Sequence, residues 1–135
     1  MTISNPSDIN ASHTHFILFV KGNVTFGDIP SGKFNTSRKS MAIISTGQMN
    51  IHSNMTEMNG IFIADSFDLA YDTATYSTHE LKMTGNLISH MPITDFKRKR
   101  DNNKQASLYV VFLPQMYLDL IPRLSTIVQE GRQIN

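Results

Sequence analysis

Ala42-Ile43-Ile44-Ser45-Thr46-Gly47-Gln48-Met49-Asn50-Ile51 reads as two short strands around a tight corner. Apolar side chains fall at i and i+2 on each side of Ser45-Thr46-Gly47-Gln48, the alternation of a strand with one buried face. The same pattern stands upstream as Leu18-x-Val20, Lys21-Gly22-Asn23, Val24-x-Phe26. It stands downstream as Ile61-x-Ile63, Ala64-Asp65-Ser66, Phe67-x-Leu69, and again as Leu81-x-Met83, Thr84-Gly85-Asn86, Leu87-x-Ser89. Successive copies lie roughly 19 to 24 residues apart, inside the period range of solenoid repeats.

A helix would place apolar residues at i, i+3, i+4 and i+7, and residues 15–90 hold no sustained run of that kind. Thr, Ile, Val, Phe and Tyr between turn formers such as Pro30-Ser31-Gly32 and Asn59-Gly60 suit strands. Hairpins could join these strands into a meander, but a fixed repeat favours a coil in which each residue stacks on its equivalent one turn later. The expected fold is therefore all-β: a parallel β-helix of about four rungs over residues 1–95. Three interior columns are expected: Leu18, Ala42, Ile61, Leu81; Val20, Ile44, Ile63, Met83; and Val24, Met49, Phe67, Leu87. Each buried side chain contributes about 1.5–3 kcal/mol, so several stacked rungs offset an ordering entropy that one rung cannot. The extra residue in Ser45-Thr46-Gly47-Gln48 is expected to be a corner bulge, and the polar segment Asp28–Ser40 a protruding loop.

Beyond His90 the pattern changes. Residues 96–107 carry Lys97-Arg98-Lys99-Arg100 and read as a charged surface loop. Residues 108–135 read as a last strand, Leu108–Leu113, followed by an irregular, Pro-punctuated cap over the open end of the solenoid. Phe19, Ile43 and Phe62 alternate with the expected interior residues, so they are expected to stack as an apolar stripe on the outer face, continued by Lys82. Stacked apolar groups on an exterior mark a covered face or a partner site. Two occupants fit this candidate partner surface: the C-terminal tail, through Tyr117 and Leu118, or a neighbouring domain or subunit.

Composition narrows the function. The 135 residues are 40% hydrophobic, with 12 basic and 11 acidic side chains. That balance gives no general electrostatic grip on nucleic acid. The chain has no cysteine, which excludes disulfides, zinc knuckles and thiol nucleophiles. No apolar run approaches the ~20 residues of a membrane span, and no signal peptide opens the chain. Met1 leads almost at once into a repeat, as expected of a piece of a longer parent chain.

No catalytic or metal-binding constellation emerges. Asp65, Asp68 and Asp72 lie on one rung, but the positions equivalent to Asp68 are Thr25, Asn50 and Ile88, so no acidic column forms for Ca²⁺ or for a glycosidase pair. His52 and His90 occupy equivalent places two rungs apart, about 9–10 Å at the strand spacing, too far for one zinc ion. His13 and His15 read as surface residues near an end. The basic run could be a nucleic-acid patch, but it has acidic neighbours and no aromatic platform, so a solvated loop is expected. Three Asn-x-Thr/Ser sequons carry little weight in a chain rich in these residues. No catalytic residue, metal or cofactor is assigned.

Several stretches resemble one family when taken in order. Ser40–Ile51 is similar to the "AIIxxGxIxI" rung of bacterial cell-surface and pilus-assembly-associated β-helix proteins. Asn59–Asp65 resembles their "xGIFIADG" rung, Leu81–Ile88 their "LxIxGNLI" rung, and Tyr109–Thr126 their closing "LDLxPxLST" segment. The chain departs from that pattern at Ser66, where glycine is usual, and at Leu113, where aspartate is usual. The resemblance implies a right-handed parallel β-helix displayed outside the cell, at the C-terminal end of a large chain. It implies no catalytic residue. On this reading the protein is a non-enzymatic structural or display module that provides a rigid β-helix scaffold, with adhesion as an optional further role. Its partners are upstream domains, other surface or pilus proteins, or glycans. The alternatives are a carbohydrate-binding or polysaccharide-degrading β-helix and a bactofilin-like filament subunit.

Overall fold

The structure, a computed structural model, describes residues 1–5, 9, 15–34, 40–93, 96–99 and 105–123. Among these residues the strands are β1 (Thr2–Ile3), β2 (His15–Val20), β3 (Val24–Phe26), β4 (Lys33–Phe34) and β5 (Ser40–Ser45). They continue as β6 (Gln48–Ile51), β7 (Glu57–Ala64), β8 (Ser66–Asp68), β9 (Leu81–Ser89) and β10 (Leu108–Phe112). One helix, α1, covers 114–123. Every strand pair is parallel. A four-stranded sheet runs β1-β3-β6-β8, and a second runs β10-β9-β7-β5-β2 with β4 also on β7. From β1 to β4 and again from β5 to β9, consecutive strands alternate between the two sheets, so the chain coils. This is a parallel β-solenoid of about four turns.

The register decides which side chains fill it. Val24, Met49 and Phe67 stack as expected, and all three are buried. On the other sheet, Leu18 stands beside Ile43 rather than Ala42, and Ile43 beside Phe62. Phe62 in turn stands beside Leu87. That column is the interior one: Ile43 and Phe62 are each 0% exposed. Ala42, Ile44, Ile61 and Ile63 point to the outer face instead. A one-residue slip in a period-2 strand exchanges the two faces. The offset between the first two coils is 25 residues on both sheets, at Val20 and Ser45 and at Val24 and Met49. Ser45 therefore belongs to β5, where its hydroxyl donates to the Gly22 carbonyl. The corner matches that of the first coil, and its extra residue shows only against the third coil, where the offset is 19 residues at Ile44 and Ile63 and 18 at Met49 and Phe67. Leu81 and Met83 likewise leave the assumed columns: they stand beside Leu108 and Val110 on one side, and Met83 beside Met58 on the other.

Thr84-Gly85-Asn86 is no corner. It lies inside β9, beside the equivalent residues of β7. Gly60 (φ 144°) and Gly85 (φ 128°) are partners across that pair, and both kink their strands at one level. A Cβ on Gly85 would stand 2.0 Å from the Gly60 carbonyl oxygen, so backbone approach as well as φ demands glycine. Asp28–Ser40 is also more than a loop. Ile29 and Phe34 are buried, and β4 pairs with β7. Phe34 packs edge-on to Phe26 (centroids 4.9 Å apart) within the core, and Phe62 packs edge-on to Phe26 at 5.7 Å. Residues 35–39 lie outside the described part.

Within the segment expected to cap the open end, residues 114–123 are helical and lie along the flank. Pro114 opens α1, where its missing N–H costs nothing. Met116, Leu120 and the ring of Tyr117 pack on Ile17, Ala42, Ile61 and Ile63. Two hydrogen bonds fix it: Ser40 Oγ donates to Asp119 Oδ2 (2.7 Å) and Asn86 Nδ2 to the Tyr117 hydroxyl (2.7 Å). α1 thus covers an outer apolar stripe, made of the outward residues of three coils. Leu118, expected to join it, is 59% exposed.

Candidate functional site

Strand alternation places Thr25, Asn50 and Asp68 in register on the outer side of the four-stranded sheet. Asn50 donates to Thr25 Oγ1 at 3.2 Å, and Asp68 accepts from Lys97 Nζ at 2.9 Å. Lys97 and Asp68, with Gln48, Ser66, Phe67, Met91 and Pro92, line a cleft of about 340 Å³. A charged pair, an amide and a hydroxyl beside two exposed apolar groups can hold a small hydroxyl-rich molecule.

The basic run does not behave as a solvated loop. Arg98 is 2% exposed, and its guanidinium donates to four backbone carbonyls. Nε reaches Leu69 O (2.6 Å), Nη1 reaches Met55 O (2.8 Å) and His79 O (3.2 Å), and Nη2 reaches His52 O (2.8 Å). The backbone of 97–99 clasps Ser77, whose N–H donates to Lys97 O, while its carbonyl accepts from Lys99 N–H. Lys99 lies over the Tyr76 ring, 5.6 Å from its centroid. The reason is geometric: the corner 52–56 and the wide segment 69–80 both lie outside the strands, and two carbonyls from each face Arg98. A planar five-donor fork satisfies several at once. Burial pushes the Arg98 pKa down to about 10, opposed by the Asp72 charge, so it stays protonated at neutral pH. Arg100 lies outside the described residues.

Asp72 ties the same corner. It accepts from the Ser53 amide and hydroxyl, each at 2.6 Å, and its Oδ2 lies 3.4 Å from His52 Nε2. Burial raises the Asp72 carboxyl, but the two Ser53 bonds, a bond from its own backbone N–H and the nearby His52 together outweigh it and leave the group below the usual range. Burial and the charges of Asp72 and Asp28 raise Tyr71, whose ring stands edge-on to His52. Serine, histidine and aspartate meet here, yet Ser53 donates to the aspartate rather than to the imidazole. His52 Nδ1 is engaged with Asn54 Oδ1 at 2.9 Å. The arrangement is therefore not that of a histidine-activated serine, in which the hydroxyl is bonded to the imidazole.

The remaining expectations divide. Asp65, Asp68 and Asp72 do not converge: Asp68 serves Lys97 and Asp72 serves Ser53 and His52, while Asp65 is exposed. His90 is not equivalent to His52; it follows Ser89, the partner of Ala64, and so lies at another corner. Among the described residues no three His, Cys, Asp or Glu side chains gather as a metal site. His13 lies outside the described residues. Of the expected partner stripe, Ile43 and Phe62 are core residues and only Phe19, 56% exposed, faces outward.

Sequence patterning missed Arg98 and the open edge of β10. The alternation Lys97-Arg98-Lys99, outward-inward-outward, is a strand-like signal in hindsight of Ser77. Tyr109, Val110, Val111 and Phe112 are 41–58% exposed, and β10 ends its sheet. No family model, no curated protein and no solved structure matches this chain.

Proposed function

We propose that this chain is a non-enzymatic scaffold and display module of an extracellular, pilus-associated or other surface protein. Its partners are then upstream parts of a longer chain or neighbouring surface proteins. The carrying observation is where the polar chemistry goes: Arg98, Asp72 and Ser53 bond between coils instead of converging on a substrate-sized centre. Side chains used this way stiffen a quasi-one-dimensional stack, in which each coil is held by its neighbours. The ordered resemblance of four stretches to surface β-helix proteins supports the location.

A second reading rests on the Asp68–Lys97 cleft, which offers hydrogen-bonding groups suited to a saccharide. One pair of measurements separates the two. Protease shaving of intact source cells, followed with an antibody to the chain, removes the epitope if the module is displayed. Retention of the epitope until lysis overturns display. On a glycan array the scaffold reading expects no specific signal. A signal lost in both Asp68→Asn and Lys97→Met transfers the function to the cleft.

A further inference from the structure

We infer that β10 is a self-association strand that pairs antiparallel with β10 of a second copy across a two-fold axis. β10 reads Leu108-Tyr109-Val110-Val111-Phe112 and, among the described residues, lies at the end of its sheet with β9 on one side only. Exposed edges of soluble proteins carry a lysine, a proline or a bulge that blocks pairing. β10 carries none of these, and four of its five side chains are 41–58% exposed.

Backbone geometry selects the register. Leu81 N–H donates to Ser107 O, so Ser107 and, by alternation, Tyr109 and Val111 present their backbone groups to β9. Leu108, Val110 and Phe112 present theirs outward. An antiparallel copy with Val110 on the axis pairs Val110 with Val110 and Leu108 with Phe112. All three outward residues then gain partners in one step.

The occupant is a second copy because the edge is self-complementary. No charged residue stands between Gln105 and Leu118, so two copies bring no like charges together, and an isologous contact closes as a dimer. One strand pair buries less than the ~800 Å² per partner of a standard interface, so the dimer dissociates on dilution. This holds wherever the scaffold is displayed.

Sedimentation velocity over a dilution series of the full chain tests it. Wild type is expected to pass from monomer to dimer mass with rising concentration. Val110→Pro removes an N–H that points away from β9, and is expected to weaken the dimer at least tenfold with the circular dichroism spectrum unchanged. The chain has no cysteine, so a single Val110→Cys reports the axis directly. Residues opposite each other in such a pair have Cβ atoms about 4.5–5.5 Å apart, near disulfide range. Val110→Cys is expected to cross-link at least tenfold faster than Phe19→Cys on the flank. A wild type that stays monomeric throughout, as it would were the edge covered by the chain's own tail, overturns the inference. So do a Val110→Pro dimer of wild-type strength and equal cross-linking of the two cysteine variants.

Discussion

Arg98→Met removes the guanidinium and keeps most of the apolar stem. The His52 carbonyl also accepts from Met55 N–H, so it keeps a donor. The carbonyls of Met55, Leu69 and His79 lose the guanidinium that reaches them. A hydrogen bond to a charged group contributes about 1.5–3 kcal/mol net, which for three carbonyls sums to about 4.5–9 kcal/mol. Two effects reduce that sum. Water entering the gap re-bonds part of the carbonyls, and the cost of burying a charge disappears. The expected net loss is about 3–5 kcal/mol, or about 10–20 °C in Tm for a chain of this size. Arg98→Lys keeps a charge but only three donors on one atom, and falls between. Thermal unfolding by circular dichroism gives the global number. Hydrogen exchange locates it, because a stack loses stability coil by coil: faster exchange is expected at 69–80 and 97–99 and unchanged exchange at 41–51. A Tm within about 3 °C of wild type, with no local exchange change, would refute the view that Arg98 fastens the wide corner.

Two further outcomes follow from the backbone and from charge. Gly85→Ala combines a φ of 128° with a Cβ 2.0 Å from the Gly60 carbonyl, whereas Gly22→Ala has a φ of 99° and nothing within 4 Å. Urea unfolding is expected to show about 1 kcal/mol lost at Gly22 and at least about 3 kcal/mol at Gly85; equal losses would mean that φ alone matters. Asp72 has its carboxyl held below the usual range, so its contribution is present above the unfolded value of about 3.9. It is lost as the pH falls through the folded value. Asp72→Asn is expected to lower the urea midpoint at pH 7 and to shrink the difference from wild type below about pH 4, and a gap that persists there refutes the linkage.

The coil itself was legible because period-2 patterning and corner residues recur, and Val24, Met49 and Phe67 stack as read. The facing of the second sheet was not. Ile43 and Phe62 alternate with Ala42, Ile44, Ile61 and Ile63, and both sets are apolar. An alternating strand declares its inward face only when its outward face is polar. Here α1 covers part of the outward face, so the sequence is apolar on both sides and a one-residue slip looks equally good. The information that removes the ambiguity is non-local. Between the first two coils the offset is 25 residues on both sheets, with Leu18 beside Ile43 and Val24 beside Met49. Between the next two it is 19 on one sheet and 18 on the other, so no single period read from the sequence fixes it.

The polar residues were harder to read for a related reason. Lys97-Arg98-Lys99-Arg100 carries the composition of a solvated loop, and two of its members behave as surface cations, Lys97 on Asp68 and Lys99 over Tyr76. Arg98 differs by position alone. Its burial depends on carbonyls 19 to 46 residues away in sequence, which no local window contains. The same non-locality hides the β10 edge, since an apolar run of five residues reads identically whether it sits mid-sheet or last. What separates the two is the count of neighbours that follow. After β10 the chain turns into α1 and travels back over the coils already laid down, through Asn86 to Ser40. Among the described residues the helix returns along the flank and leaves the end it came from. On that route the outward backbone donors and acceptors of the last strand meet no other described strand, and its pairing is the property of this chain most worth measuring.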